Sequence, residues 1–143
     1  MLILGLDTAT PWGSLALCED DEVIAELSLR VPKGGGEFLL GLLDTIMVKT
    51  GYRLEQLDLI AVGIGPGSYT GIRVGLAAVK GMTAALGIPG VGVSTLRSIA
   101  ANGRLAAEWV AVSKEARRGE IYAALYQARD GDLTEVEPPG VWT

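Results

Sequence analysis

Two segments of this 143-residue chain combine polar side chains with glycines where a strand-like run gives way to a turn. Asp7 and Thr8 end an apolar run and place a carboxylate and a hydroxyl at its tip. Gly65, Gly67 and Ser68 stand between a second apolar run and a helical segment. Backbone N–H groups in such turns bind anions, so these residues form a candidate nucleotide-binding set. The alternative for both segments is an ordinary turn whose side chains cap backbone groups.

The composition excludes several kinds of catalysis. The chain contains no histidine, which removes serine–histidine and cysteine–histidine nucleophiles and the commonest metal ligand. Its one cysteine, Cys18, lies in a strand-like run and is expected to act as a small buried hydrophobe. Ile72-Arg73 stands where a phosphate-binding P-loop requires a Lys-Ser/Thr pair. We therefore predict no catalytic residue, no metal site and no required cofactor, and ATP or ADP as the ligand that the glycine-rich turn would accept.

Charge and hydropathy set the expected environment. The formal net charge is −5, whereas phosphate backbones are bound by clustered Lys and Arg, so no direct tRNA binding is expected. Apolar residues make up 49% of the chain, yet no run reaches the roughly 20 residues that a membrane span requires. The first residues are strand-like and have no signal-peptide pattern, so we predict a cytoplasmic protein with no membrane partner.

Hydrophobic patterning predicts an α/β fold in the order βββαβαβα. The predicted strands cover 2–7, 14–18, 23–29, 57–64 and 91–93, and the predicted helices cover 38–50, 68–86 and a segment capped by Ser94 that ends near 102–103. A Pro/Gly loop occupies 31–36, and Gly51 closes the first helix. From residue 109 the early strand pattern returns, with Glu115 in the position of Asp7. We interpret 1–104 as one lobe and 105–143 as the start of a duplicated second lobe.

Both long helices carry more apolar or small residues than one buried face requires. The predicted partner-interface residues are Phe38, Leu39, Leu42, Leu43, Ile46 and Met47 on the first helix, and Gly71, Gly75, Ala78 and Met82 on the second. Each glycine inside a helix costs about 1 kcal/mol relative to alanine, so close approach by another element must compensate. Either the protein's own sheet or a partner helix can supply that contact, and the first helix can instead be wholly buried.

Four segments resemble the bacterial TsaB (YeaZ) family. They are Ile3-Leu-Gly-Leu-Asp-Thr-Ala-Thr10, the run 58–73 that includes Gly65-Pro-Gly-Ser-Tyr-Thr-Gly71, Gly75-Leu-Ala-Ala-Val-Lys-Gly81 and Ala116-Arg-Arg-Gly-Glu-Ile-Tyr122. The resemblance implies an actin-like or RNase H-like fold of two duplicated lobes, in agreement with the internal repeat. The chain departs from the family pattern at Gly34-Gly-Gly36, where a histidine is common, at Glu115, where an aspartate is usual, and in its short second lobe.

The resemblance also implies a function, that of a non-catalytic partner of the TsaD transferase. With TsaD and the ATPase TsaE, such proteins help to form N6-threonylcarbamoyladenosine at position 37 of tRNAs that read ANN codons. The first two helices would dock TsaD, or a second copy when the chain is alone. The rival hypothesis is an actin-like ATP-binding protein or ATPase that uses Asp7 and the Gly65–Gly71 loop.

Arg117 and Arg118 are either solvated turn charges or a contact to a partner or phosphate.

Overall fold

The computed structural model describes residues 1–30, 36–117 and 119–143. Its elements run in the order β1 (Leu2–Asp7), β2 (Trp12–Glu19), β3 (Glu22–Arg30), α1 (Gly36–Thr50), a 3₁₀ turn (Leu54–Gln56), β4 (Leu59–Gly63), α2 (Tyr69–Leu86), β5 (Gly90–Val93), α3 (Thr95–Ala101), β6 (Trp109–Glu115), β7 (Ile121–Arg129) and β8 (Asp132–Trp142). The predicted order βββαβαβα and the return of three strands are confirmed. No helix in the described ranges is both long and apolar enough to cross a membrane.

The chain divides into two compact units. Unit 1 contains Met1–Ile64 and Ser68–Gly92, and unit 2 contains Gly65–Gly67 and Val93–Thr143. The sequence interpretation placed the boundary after residue 104 and so assigned α3 to the first lobe. In the structure α3 instead packs on β6, β7 and β8, because Leu96 and Ala100 are its buried side chains and belong to the core of that sheet.

Unit 1 is organised by a five-stranded sheet of order β3-β2-β1-β4-β5. The hairpins β1-β2 and β2-β3 are antiparallel, and β1 pairs with β4 in parallel. Alternate residues of β1 are buried, so Leu4, with its register partners Leu17 and Ile60, lies on one face. Helix α1 packs on β2 and β3, and α2 packs on β1 and β4. Side chains from both helices join one hydrophobic core, which shows that they cover this same face.

Local signals fix the ends of both long helices. The Ser68 side chain caps α2 by accepting a hydrogen bond from Gly71 N at 3.2 Å. At the other end Gly87 adopts φ +69°, and its N–H donates to Thr83 O. Gly51, with φ +77°, donates to Met47 O and ends α1, as the sequence predicted. The predicted loop 31–36 lies outside the described residues except for Gly36, at which α1 begins.

Unit 2 repeats the first three strands of unit 1 in topology. Strand β7 pairs antiparallel with β6 and β8, as β2 pairs with β1 and β3. The second hairpin turn of each set places an aspartate at positive φ, +53° at Asp20 and +51° at Asp130. Aspartate tolerates this conformation better than most residues, so the shared turn supports the interpretation of a duplication.

Helix α2 approaches the sheet through glycines. A Cβ on Gly75 would lie 2.5 Å from Thr8 Oγ1 and 3.2 Å from Leu6 Cδ1, and one on Gly71 would collide with the Thr8 carbonyl oxygen. By contrast, a Cβ on Gly81 would meet nothing within 4 Å. The protein's own sheet therefore supplies the close approach that offsets the helical glycines at 71 and 75. Of the two sources that the sequence left open for this contact, the sheet is the one observed.

This difference predicts opposite stability effects for two identical substitutions. Gly75→Ala should lower the free energy of unfolding by about 1–3 kcal/mol, because the added methyl overpacks the contact with Thr8. Gly81→Ala should raise it by about 0.5–1 kcal/mol, because the helix gains propensity without a clash. Urea unfolding followed by circular dichroism measures both, and equal changes in the two variants would contradict the packing described here.

Candidate functional site

The end of β1 forms a tight corner held by its own side chains. Asp7 Oδ1 accepts a hydrogen bond from Ala9 N at 2.7 Å. The Thr10 hydroxyl donates to Trp12 O at 2.8 Å and accepts from Trp12 N at 3.0 Å. A Cβ on Gly63, at the end of β4, would collide with the Asp7 carboxylate, so glycine at 63 leaves room for it. These contacts agree with the alternative that the sequence left open for this segment, an ordinary turn whose side chains bond backbone groups.

The structure brings Thr8 and Ser68 to this corner and uses both to anchor α2. Thr8 is 8% exposed, and its hydroxyl donates to the Gly71 carbonyl at 2.7 Å. Ser68 N donates to Ala9 O at 2.7 Å, while the Ser68 side chain caps the helix. The two hydroxyls predicted to face a nucleotide are thus engaged in holding the first turn of α2 against the end of β1.

The remaining two residues of the predicted nucleotide set belong to unit 2. Gly65 adopts φ +96°, a conformation that favours glycine, and its carbonyl accepts from Thr95 N at 2.8 Å. The neighbouring Pro66 carbonyl accepts from Lys114 Nζ at 3.1 Å. Gly67 lies in the same three-residue segment. Hydrogen bonds to α3 and β6 therefore fix the backbone of this glycine-rich segment.

Metal-ligating clusters are absent from the described ranges 1–30, 36–117 and 119–143, where no three Cys, Asp or Glu side chains converge. Cys18 lies half-buried on β2, and burial raises the pKa of its thiol, with Glu26 adding to the effect. A raised pKa leaves less thiolate at neutral pH, so this position disfavours nucleophilic chemistry.

Most of the predicted partner-interface side chains lie inside unit 1 and not on its surface. Five residues of α1 and one of α2 are buried: Leu39, Leu42, Leu43, Ile46, Met47 and Gly75. Phe38, Ala78 and Met82 are half-buried against the same core, and Gly71 faces Thr8. The physical reason is that one face of the sheet needs both helices to cover it. Any docking surface on these helices must therefore use their other sides.

The outward sides of the two helices expose apolar and small side chains among charged ones, and we call them the α1–α2 outer surface. On α1 it exposes Leu40 (61%) and Val48 (71%), beside Asp44, Thr45 and Lys49. On α2 it exposes small residues, namely Ala77, Gly81, Ala84 and Ala85, together with Arg73 and Lys80. Leu40 and Val48 were not in the predicted interface set. Their helical spacing from Asp44 was the available signal, because a polar residue marks the solvent side of a helix.

Arg117 lies exposed in the turn between β6 and β7, and Arg118 lies outside the described residues. Glu120 N donates to Arg117 O at 3.2 Å, and Ala116 N donates to Glu120 O at 2.9 Å. Gly119 has φ +82° and completes this tight turn. The backbone of Arg117 thus takes part in closing the β6-β7 hairpin.

Comparison with known proteins assigns the family. The family described as "TsaD: tRNA N6-adenosine threonylcarbamoyltransferase" matches residues 36–141. A Bacillus subtilis relative, "tRNA threonylcarbamoyladenosine biosynthesis protein TsaB", is 36% identical over 138 residues, which is 96% of this chain and 60% of the relative. The chain belongs to the TsaB (YeaZ) family. This confirms the resemblance carried by the four sequence segments.

Solved structures agree with this family and with the fold. A Pseudomonas aeruginosa protein described as similar to peptidase YEAZ superposes with a TM-score of 0.91 at 31% identity, covering 99% of this chain and 66% of that one. A Thermus thermophilus ROK hexokinase superposes at 0.60 with 15% identity, covering 94% of this chain and 49% of that one. The predicted actin-like, RNase H-like fold is confirmed. This TsaB-family chain spans about 60% of the length of its curated relative.

The anchoring role of Thr8 leads to a test. Thr8→Val should lower the free energy of unfolding by about 0.5–1.5 kcal/mol, because it removes the part-buried hydrogen bond from the Thr8 hydroxyl to the Gly71 carbonyl. Thr45→Val is the matched control, since the Thr45 hydroxyl bonds Gly41 O on the exposed side of α1 and water can replace it. Urea unfolding measures both variants, and equal losses would show that the Thr8 hydrogen bond does not anchor α2.

Proposed function

We propose that this chain is a non-catalytic docking subunit in the formation of N6-threonylcarbamoyladenosine at position 37 of tRNAs that read ANN codons. Its partner is a TsaD-like transferase, which carries the chemistry. Support comes from family membership, from the Bacillus subtilis relative, which is named a tRNA threonylcarbamoyladenosine biosynthesis protein, and from the absence of histidine in the chain. The α1–α2 outer surface is the site of docking.

The observation that carries this proposal is the exposure of Leu40 and Val48 after the inner side of α1 has filled the core. Ile46 and Met47 already cover the sheet, being 1% and 8% exposed. Leu40 and Val48 lie eight residues apart, on the same side of the helix two turns apart. Burying each against a partner would contribute roughly 1.5–3 kcal/mol. An exposed apolar stripe of this kind favours an interaction surface.

The small residues of α2 complement that stripe. Ala77, Gly81 and Ala84 are exposed and follow one another at three- or four-residue spacing. Side chains of this size let a second helix approach closely, since interaxial distances of about 8–10 Å depend on the residues at the contact. A bulky apolar side chain of the partner would therefore find space above α2, while Leu40 and Val48 insert into the partner.

The rest of the assembly follows from the same surface. A second copy of the chain would occupy it when the transferase is absent, which gives a homodimer. A TsaE-like ATPase would join the complex of chain and transferase. With a net charge of −5 the chain does not bind tRNA itself and leaves that contact to its partners. We assign this work to the cytoplasm, where tRNA modification takes place in bacteria.

An ATP-binding role remains the second candidate, and the position of Asp7 at the end of β1 favours it. A carboxylate at the tip of a strand suits the magnesium ion of a bound nucleotide. Against it, the Thr8 and Ser68 hydroxyls already bond the first turn of α2. A rise in melting temperature with ATP and magnesium, together with turnover, would favour this role over docking.

The docking proposal is tested by charging the exposed stripe. The double variant Leu40→Glu, Val48→Glu should weaken binding of the TsaD-like transferase by about 100-fold, because two carboxylates would be buried without partners. The matched control is Val23→Glu, Leu105→Glu, which changes side chains 59% and 82% exposed that belong to neither α1 nor α2. Surface plasmon resonance with the full chain measures both. Equal affinity of the two double variants would overturn the proposal.

A further inference from the structure

The outward side of α2 carries positive charge in an otherwise acidic chain. The chain has 17 Asp and Glu against 12 Lys and Arg, yet the 18 residues of α2 include no acidic residue. Its charged residues, Arg73 and Lys80, are both exposed. A partner that lies across this helix therefore meets cations and no carboxylate from α2.

Both cations line a shallow groove on α2. Lys80 follows Arg73 by seven positions in the sequence, so the two side chains share one side of the helix about 10 Å apart along its axis. The groove has a volume of about 520 Å³. Its lining residues are Thr70, Arg73, Val74, Leu76, Ala77 and Lys80. The lining residues between the cations in sequence are apolar, which suits the hydrocarbon part of a protein side chain.

Arg73 is held in place by its neighbour on the helix. Its guanidinium carbon lies 5.4 Å from the centroid of the Tyr69 ring, within range of a cation–π interaction. Such stacking orients the planar guanidinium while leaving its N–H groups available to a carboxylate, which they bind in a two-pronged geometry. A side chain ordered before binding loses less conformational entropy when the partner arrives.

We propose that this groove recognises an acidic helix of the transferase, one with two carboxylates about two turns apart on either side of a small apolar residue. The inference rests on the proposed function and specifies the chemistry of the partner at that site. Nucleic acid is the poorer match, because the groove has an apolar lining, only two cations and a chain of net charge −5 around it. A second copy is also a weaker match, since among the described side chains of the α1–α2 outer surface it offers one carboxylate, Asp44.

Charge reversal tests the inference on the full chain with the purified TsaD-like transferase. Arg73→Glu, Lys80→Glu should weaken binding by about 10- to 100-fold, because like charges would then face each other across the contact. Arg53→Glu, Arg129→Glu makes the same change in net charge at exposed positions off the groove and should alter binding by less than about 2-fold. The milder variant Arg73→Gln, Lys80→Gln should lie between these values. We expect the affinity of the wild type for the transferase to fall about 5- to 10-fold between 50 mM and 500 mM salt. The affinity of Arg73→Gln, Lys80→Gln should change much less over the same range.

Tyr69 provides an independent readout of the ordered guanidinium. Tyr69→Phe keeps the ring and should bind like the wild type, whereas Tyr69→Ala should bind about 3- to 5-fold more weakly. Affinities of the two charge-reversed double variants that agree within 2-fold would overturn the inference while leaving docking through Leu40 and Val48 intact. If the wild type does not bind the transferase, the proposed function and this inference both fail. A tRNA bound by the wild type and released by Arg73→Glu, Lys80→Glu would assign the groove to nucleic acid and also overturn it.

Discussion

The close approach of α2 to the end of β1 is the contact on which the rest of unit 1 depends. Gly71 and Gly75 leave no side chain between the helix and Thr8, and the Thr8 hydroxyl bonds the Gly71 carbonyl across the gap at 2.7 Å. The Ser68 N–H then ties the start of the helix to Ala9. Because the helix is seated this closely, Val79 is buried and Met82 packs on the core. The same seating turns the other side of α2 outward.

That seating also explains why the two helices look over-supplied with apolar and small residues. The buried residues of α1 and α2 cover the sheet of unit 1. Only a few apolar and small residues of the two helices are left exposed. Leu40 and Val48 contribute exposed apolar area on α1. Ala77, Gly81 and Ala84 have short or no side chains, so a partner helix could approach α2 closely. Arg73 and Lys80 add charge of the sign opposite to that of the whole chain. Apolar burial would supply affinity for a partner, and the two cations would select which partner is bound.

Much of the fold could be predicted from the sequence, because strong local signals specify it. Ser94 caps α3 and Gly51 ends α1 as predicted, and a run of apolar residues marks β1. The orientation of α2 could not be predicted, since a small-residue stripe fits a sheet and a partner helix equally well. The placement of α3 in unit 2 was also missed, because a pattern of buried residues shows that a helix packs but not on which sheet. For the same reason most of the α1 residues that the sequence selected for docking are buried in unit 1, whereas Leu40 and Val48, which it did not select, are exposed.

The central claim is that the outward sides of α1 and α2 form the docking surface, and hydrogen–deuterium exchange tests it most directly. The full chain is labelled alone and with a saturating amount of the TsaD-like transferase, and peptides across both units are compared. We expect slower exchange in peptides covering 37–50 and 69–86, with β6, β7 and β8 unchanged. Protection confined to the strands of unit 2, with both helices exchanging as in the free chain, would contradict the account.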